Sequence, residues 1–283
     1  MRVRAAKSLG QHFLTHPELL AKIAAVSEAG PGDVVLEIGP GPGGLTGALL
    51  DRGCTVVAVE RDPRMLAGLQ RQFGERDFVL VEGDALTLDW SALMVPWTTL
   101  GRRWRVVGNI PYYITSPLLE KALTPPLPAS VTFLVQKEVA DRVVAPAGHD
   151  DYGALSIGVQ AIADAQRGFV IGRGAFTPPP KVDSAVLHLL PRAEPLVLPD
   201  QVPAFRKLVT SLFSYRRKRM QRALREALGL DADAAAGILE AAAISPDVRP
   251  EVVDVAAWVR LLGVVTAKRC SPVPAAPGGQ APA

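Results

Sequence analysis

"EIGPGPGGLT", residues 37–46, follows the apolar run Val34-Val35-Leu36 and sets Gly39, Gly41 and Gly44 in G-x-G-x-x-G register. Glycines at that spacing let the chain turn sharply out of a strand into a helix, expected here to begin near Leu45, while the backbone approaches a ligand. Glu60 ends the next β-branched run, about 20 positions beyond the first glycine, and completes the pattern of a nucleotide-binding βαβ unit. A carboxylate there can accept hydrogen bonds from both hydroxyls of a ribose, although an ordinary strand-end residue also fits. Both features serve NAD and S-adenosylmethionine alike. The stretch points to a fold class and leaves the ligand open.

Working outward, short β-branched runs at 34–38, 55–59, 78–81, 105–107, 131–135 and 182–190 alternate with helical patterns. Continuous apolar strands separated by helices imply a parallel sheet covered on both faces. The last run follows "FTPPP" and is expected to lie antiparallel at the sheet edge. Ahead of the first strand, "LTHPELLAKIAAV" reads as a helix. Thr15 and Glu18 have capping-box spacing, Pro17 sits near the first turn, and Leu19, Leu20, Ile23 and Val26 form an apolar stripe. The break "PRAEPLVLPDQVP" at 191–203 is followed by helical patterns only. Residues 1–190 therefore read as an α/β domain and 191–270 as a small helical one. The Pro/Ala/Gly segment 271–283 is expected to be a disordered tail.

The bulk numbers exclude several classes. A chain of 283 residues, 48% hydrophobic and 21% charged, can bury a sizeable core. No stretch approaches 18 uncharged apolar residues, and no apolar signal core follows Arg2, Arg4 and Lys7, so no membrane partner or export is expected. Cys54 and Cys270 form no metal-type or redox-type pair, which suits a reducing cytoplasm, with Cys54 as a small core residue. The net charge of +3 identifies no partner, but its distribution is uneven. Arg206, Lys207, Arg216, Arg217, Lys218, Arg219, Arg222 and Arg225 fall in one block without an acid. That block fits either a solvated helix face or a surface facing phosphates.

Two further stretches carry chemistry. Asp84, in "EGDAL", falls at the carboxyl end of the third strand, where open α/β sheets bind ligands. It can accept a hydrogen bond from an adenine amino group, or serve as a turn or cap. "GNIPYYITSP", residues 108–117, follows the strand "RVV", so Asn109 and Tyr112 are expected over the same end of the sheet. An exocyclic adenine nitrogen is a poor nucleophile because its lone pair is delocalised into the ring. Two acceptors holding its two N–H bonds favour a pyramidal nitrogen, and the Asn109 side-chain oxygen and the Ile110 carbonyl can be those acceptors, with Pro111 fixing the backbone. Tyr112 offers a stacking face, worth roughly 1–3 kcal/mol for a base. A dehydrogenase has no use for this arrangement; methyl transfer to adenine does.

These pieces occur in order with "SLGQHFL" (8–14), "VVAVERD" (56–62), "QKEVADRVVA" (136–145), "YGALS" (152–156), "FTPPPKVDSAV" (176–186) and "YRRKRM" (215–220). Together they resemble the ribosomal RNA adenine dimethyltransferases over roughly residues 7–262, most closely those acting on bacterial small-subunit rRNA. The resemblance implies a Rossmann-like class I S-adenosylmethionine-dependent methyltransferase sheet with a small C-terminal helical domain. It implies dimethylation of two neighbouring adenines in a hairpin near the 3′ end of small-subunit (16S) rRNA, by a cytoplasmic monomer that needs no metal and meets the assembling 30S subunit. By the same match Gln11, His12 and Leu14 close over the cofactor, with His12 where Asn is commoner. Gly39 and Gly41 lie along the methionine portion, Glu60 holds the ribose, Asp84 meets the adenine, and Asn109 stands between donor and target. Phe176 matches an aromatic that holds the target base, though a core Phe at a strand start is its plainer reading. Arg216, Arg217, Lys218, Arg219 and Arg222 would track rRNA phosphates. The acids of "PAGHDD" before "YGALS" stand where a basic residue is common, which alters the expected RNA contact there. Two other readings remain beside this one: a large-subunit (23S) rRNA adenine methyltransferase of the macrolide-resistance type, and a non-catalytic ribosome-assembly factor on the same fold.

Overall fold

The computed structural model describes residues 10–270, with side chains through Ala267. The expected tail at 271–283 and the first two residues of "SLGQHFL" lie outside the described residues. In chain order the elements are β1 (Phe13–Leu14), α1 (Pro17–Val26), β2 (Val34–Ile38), α2 (Gly44–Leu50), β3 (Thr55–Glu60), α3 (Pro63–Phe73), β4 (Phe78–Glu82), α4 (Trp90–Thr98), β5 (Trp104–Asn109), α5 (Thr115–Ala122), β6 (Val131–Gln136), α6 (Lys137–Val144), α7 (Ala154–Gln160), β7 (Ala163–Ile171), β8 (Phe176–Thr177), β9 (Ser184–Pro191), α8 (Val202–Phe213), α9 (Met220–Leu228), α10 (Ala232–Ala241) and α11 (Val255–Cys270).

Seven strands form one sheet in the order β4-β3-β2-β5-β6-β9-β7. The first five are mutually parallel, and β9 runs antiparallel between β6 and β7. The expected strand after "FTPPP" is thus antiparallel but interior, and the edge belongs to β7, which the sequence reading lacked. The reason is local. "ADAQRGFVI" interleaves polar residues, is largely exposed, and breaks register between Arg167 and Val170, so it has no continuous apolar run. At the start of α1 the expected capping box does not form. His16 is the N-cap, and its carbonyl accepts the N–H groups of both Leu19 and Leu20 at 3.1 Å.

The central strand β2 is buried throughout, and its alternating side chains enter two layers. Val35 joins Leu20, Leu49, Leu69 and Phe73 beneath α1, α2 and α3. Val34 and Leu36 join Met94, Leu118 and Leu119 on the other face, and that cluster continues into Phe205, Leu224, Leu239 and Trp258 of the helical part. Cys54 lies in the first layer, and burial pushes its thiol up. "YGALS" makes the junction to the helical part: Tyr152 is buried, donates its hydroxyl to the Val253 carbonyl at 2.9 Å, and sets its ring edge-on to Phe213. The acid-bearing loop before it is pinned at Gly148, whose N–H donates to the Glu251 carbonyl at 2.8 Å.

At the amino ends of the strands a buried charge cluster closes the sheet. Arg105 on β5 pairs with Asp33 at 3.0 Å and also donates to the Ser27 carbonyl and the Ser130 hydroxyl, at 3.0 and 2.9 Å. The carboxyl ends are left open. With β3 on one side of β2 and β5 on the other, the chain reverses its direction of travel across the sheet at β2, which opens a crevice there.

Candidate active site

The crevice is lined by the segment Gly10–Leu14, the β2–α2 glycine turn, the ends of β3 and β4, and the 109–114 segment after β5. Gly39 has φ +69°, and the direction a Cβ would take from it is open for 4 Å, so the backbone here can lie directly against a ligand. Gly44 answers a different need: a Cβ on it would come within 2.8 Å of Leu20 Cδ1, so it permits α2 to pack closely on α1.

Glu60 is almost fully buried at the crevice wall. Its Oε2 accepts the Gly41 N–H at 3.0 Å and its Oε1 the Asp62 N–H at 2.8 Å. Those bonds fix the carboxylate and leave further lone pairs for hydroxyl donors. Burial raises the carboxyl's pKa against the backbone hydrogen bonds from Asp62, Gly41 and Arg61 that oppose the shift. Asp84 makes the expected turn, and its second oxygen is taken by a neighbouring cation. Oδ1 accepts the Leu86 N–H at 2.9 Å, forming a turn, while Oδ2 pairs with Arg61 at 3.2 Å on the crevice side.

Gln11, His12 and Leu14 do border the crevice. Gln11 Nε2 donates to Asp62 Oδ2 at 3.0 Å, and β1 pairs antiparallel with β8, so this segment is held at both ends. Asp62 caps α3 and also takes Arg64 Nε at 2.8 Å. The Arg64 hydrogen bonds, followed by that from Gln11, hold its carboxyl down at about 2. Asn109 Nδ2 donates to the His12 carbonyl at 3.0 Å, which turns its Oδ1 the other way. The Tyr112 hydroxyl bonds to Ser184 Oγ at 2.7 Å, and burial raises its pKa. Phe176 is not brought to the crevice surface. It is 3% exposed, pairs with Leu14 across the β1–β8 ladder and packs in the layer of Leu14, Ile171 and Val186.

Glu37, inside the opening stretch, was not singled out from the sequence. It is 1% exposed, its Oε2 accepts the Thr46 hydroxyl at 2.6 Å, and its Oε1 is buried without a partner. Burial first, and then the neighbouring Glu60 charge, push its carboxyl up to about 8, against the Thr46 bond. An orphaned acid beside an open glycine turn fits a ligand that brings positive charge.

A family model for ribosomal RNA adenine dimethylase matches residues 2–260. The chain belongs to the ribosomal RNA adenine dimethylase family. It is 45% identical to the ribosomal RNA small subunit methyltransferase A of Phenylobacterium zucineum, over 98% of this chain and 93% of that one. It is 44% identical to the protein of that name from Caulobacter vibrioides, over 91% and 96% of the two chains. Among solved structures it is similar to a dimethyladenosine transferase from Plasmodium falciparum, with a TM-score of 0.76 and 25% identity over 91% of this chain and 98% of that one. It is also similar to the 23S rRNA methyltransferase ErmE, at 0.68 and 28% over 90% and 99%. The sheet is accordingly the Rossmann-like one of S-adenosylmethionine-dependent methyltransferases, carrying a C-terminal helical part.

For a ribosomal RNA adenine dimethylase the basic block is the second region of interest. Arg216, Arg217, Lys218 and Arg219 are exposed on the turn between α8 and α9, and Arg222 on α9. The Met220 N–H donates to the Val248 carbonyl at 2.7 Å and brings in residues the sequence reading missed. Arg217, Lys218, Arg219, Arg222 and Arg249 line one concavity, with Asp247 pairing Arg219 at 2.6 Å. Arg206 stands apart: it is partly buried and donates to the Glu120 carbonyl at 3.0 Å.

Proposed function

We propose that this chain dimethylates the 6-amino groups of two adjacent adenines in a hairpin near the 3′ end of small-subunit (16S) rRNA during assembly of the 30S subunit. It would do so as a cytoplasmic monomer and without a metal. The orientation of Asn109 carries the reading. Because its amide nitrogen is committed to the His12 carbonyl, its oxygen is the atom left to accept an N–H from a substrate amine.

S-adenosylmethionine supplies, when bound, a methyl group already activated by its sulfonium. Gly39 and Gly41 would face its methionine portion, Glu60 its ribose and Asp84 its adenine, with Gln11, His12 and Leu14 closing over it. Glu37 would lie beside its cationic end. Asn109 Oδ1 and the Ile110 carbonyl hold the target amine by its two N–H bonds and turn its lone pair toward the methyl carbon. Pro111 fixes that carbonyl, and Tyr112 stacks on the base. As the N–C bond forms the C–S bond breaks, and the cationic amine that results loses its proton to solvent. Catalysis on this account is positioning and exclusion of water. The base must leave its stack to arrive. Arg216, Arg217, Lys218, Arg219 and Arg222 of the helical domain, residues 191–270, would track the rRNA phosphates.

Large-subunit rRNA is the less favoured substrate. The curated relatives that name small-subunit rRNA reach 45% identity, against 28% for ErmE. Mass spectrometry of rRNA from cells with and without this gene decides the matter. Dimethyladenine in the small-subunit rRNA is expected to vanish with the gene; an unchanged level would refute the reading.

A further inference from the structure

The loop after β4 brings Gly83, Asp84 and Ala85 to the crevice wall. Its start is tied to β3, where the Gly83 N–H donates to the Glu60 carbonyl at 2.9 Å. Beyond that point the backbone bonds turn inward. The Thr87 and Leu88 N–H groups both donate to the Asp84 carbonyl at 3.0 Å, and the Leu86 N–H donates to Asp84 Oδ1 at 2.9 Å. Such bonds shape a turn without fixing it against the rest of the molecule, and two side chains away from the crevice lining do that. Trp90, at the start of α4, donates its indole N–H to the Ala85 carbonyl at 2.8 Å. Lys121, in the last turn of α5, reaches the Leu86 and Leu88 carbonyls with Nζ at 2.8 and 2.5 Å. The same ammonium lies over the Trp90 ring, 5.4 Å from its centroid. Burial pulls the ammonium's pKa down, and the charges of Asp89 and Asp84 oppose that.

We propose that Lys121 is a positioning residue for the adenine end of the cofactor: it draws the Leu86 and Leu88 carbonyls onto α5 and so sets Asp84 where an adenine amino group can meet it. The inference rests on the reading of Asp84 given above. An ammonium has three N–H donors and no acceptor, so it can hold two carbonyls at once and nothing else in the loop competes for its role. Bonds from a charged donor are also stronger than neutral ones, which suits a clamp made at a single atom. The clamp has a second consequence. α5 begins at Thr115, directly after the 109–114 segment that holds the target amine, so one helix supports both the adenine wall and the amine-holding wall of the crevice. Lys121 touches neither ligand; it acts through the loop.

The test compares two ligands that differ only at the adenine 6-position, S-adenosylhomocysteine and S-inosylhomocysteine, by calorimetry. The second carries a carbonyl in place of the amino group, so the wild-type protein is expected to prefer the first. Lys121→Met keeps an unbranched stem over Trp90 and loses both bonds. It is expected to weaken S-adenosylhomocysteine about tenfold while S-inosylhomocysteine changes by less than about twofold, so that the preference narrows. In methyl transfer to unmodified small ribosomal subunits, the KM for S-adenosylmethionine should rise about tenfold with kcat within about threefold, because Asn109 and Ile110 are untouched. Lys121→Arg should restore the preference, since a guanidinium also has donors for two carbonyls. Should the methionine variant fail to unfold cooperatively, Lys121→Gln carries the same comparison. An unchanged preference in the uncharged variant would overturn the clamp. Equal weakening of both ligands would do so too, since that is what mere loosening of α5 produces, and so would a fall in kcat at constant KM. A wild-type protein that shows no preference between the two ligands would instead remove the reading of Asp84 on which the inference stands.

Discussion

Asn109 is held from one side only, and that asymmetry predicts what its loss does. Asn109→Ala removes the acceptor for the target amine and the bond to the His12 carbonyl, but no group assigned to the ribose or adenine of the cofactor. Methyl transfer is expected to fall below detection while S-adenosylmethionine affinity changes by less than about tenfold, or roughly 1.4 kcal/mol, as read by calorimetry. Full activity in that variant would refute the amine-holding role. Glu37 gives a second test at this scale. Its carboxyl is raised in the folded chain from 4.5 to about 8, chiefly by burial, so between those values the folded state binds the proton more tightly than the unfolded one. Its contribution is complete below pH 4.5 and is lost as pH rises toward 8. Glu37→Gln keeps the Thr46 contact and removes the titration. The stability difference between wild type and Glu37→Gln should therefore shift in favour of the variant by at least about 1.4 kcal/mol between pH 5 and pH 8, one pKa unit's worth, in denaturant unfolding. A constant difference would show that the acid does not titrate there. The sequence led to the crevice positions of Asn109, Tyr112 and Glu60 because Glu60 and Asn109 end strands and Tyr112 follows three residues after Asn109. It did not lead to Glu37, because a glutamate inside an apolar run shows neither its burial nor the missing partner of Oε1.

The elements that hold these residues owe their positions to the closed end of the sheet as much as to the open one. Arg105 reaches from β5 to Asp33 just before β2 and to Ser27 and Ser130, so one guanidinium ties together the starts of the two strands that flank the crevice. Both charges are nearly fully buried, so removing one strands the other. Asp33→Ala is expected to cost about 3–5 kcal/mol of stability, the usual loss for half of a buried pair. A urea midpoint shift equivalent to less than about 1 kcal/mol would show that water or Glu28, whose Oε2 lies 3.7 Å from Arg105 Nη1, relieves the guanidinium. The parallel strands and the glycine turn could be read from apolar runs and spacing. The edge strand β7 could not, because an exposed edge carries no apolar run, and a bulge near Gly168 interrupts what alternation there is. The helix start at His16 rather than Thr15 escaped for a similar reason: the capping-box spacing was present, but no side-chain cap formed.

Across the whole molecule the charge is arranged to complement the open crevice with a separate basic surface. The block without acids was visible in the sequence, yet its shape was not. Arg249 joins it only because the loop before it pairs with the start of α9, and Asp247 neutralises part of it by pairing Arg219. Arg206, although in the block, points its guanidinium to a backbone carbonyl and leaves the surface. The cations free to meet phosphates are therefore fewer than the sequence count suggests; exposed Arg217 and Lys218 pair with no acid among the described residues, whereas Arg219 pairs with Asp247 and Arg222 with Glu226. Each phosphate contact releases condensed counterions, so RNA affinity should fall steeply with salt, the logarithmic slope declining by roughly 0.7 to 0.9 for each contact removed. Arg217→Ala combined with Lys218→Ala is expected to weaken binding to the rRNA hairpin, flatten that slope by about 1.5, and leave S-adenosylmethionine affinity unchanged. Binding titrations between 50 and 200 mM salt, the range over which such contacts are ordinarily resolved, read this directly. An unaltered slope would move the RNA path off this surface, whereas Arg206→Ala, whose side chain braces α8 against α5, should change stability without changing the slope.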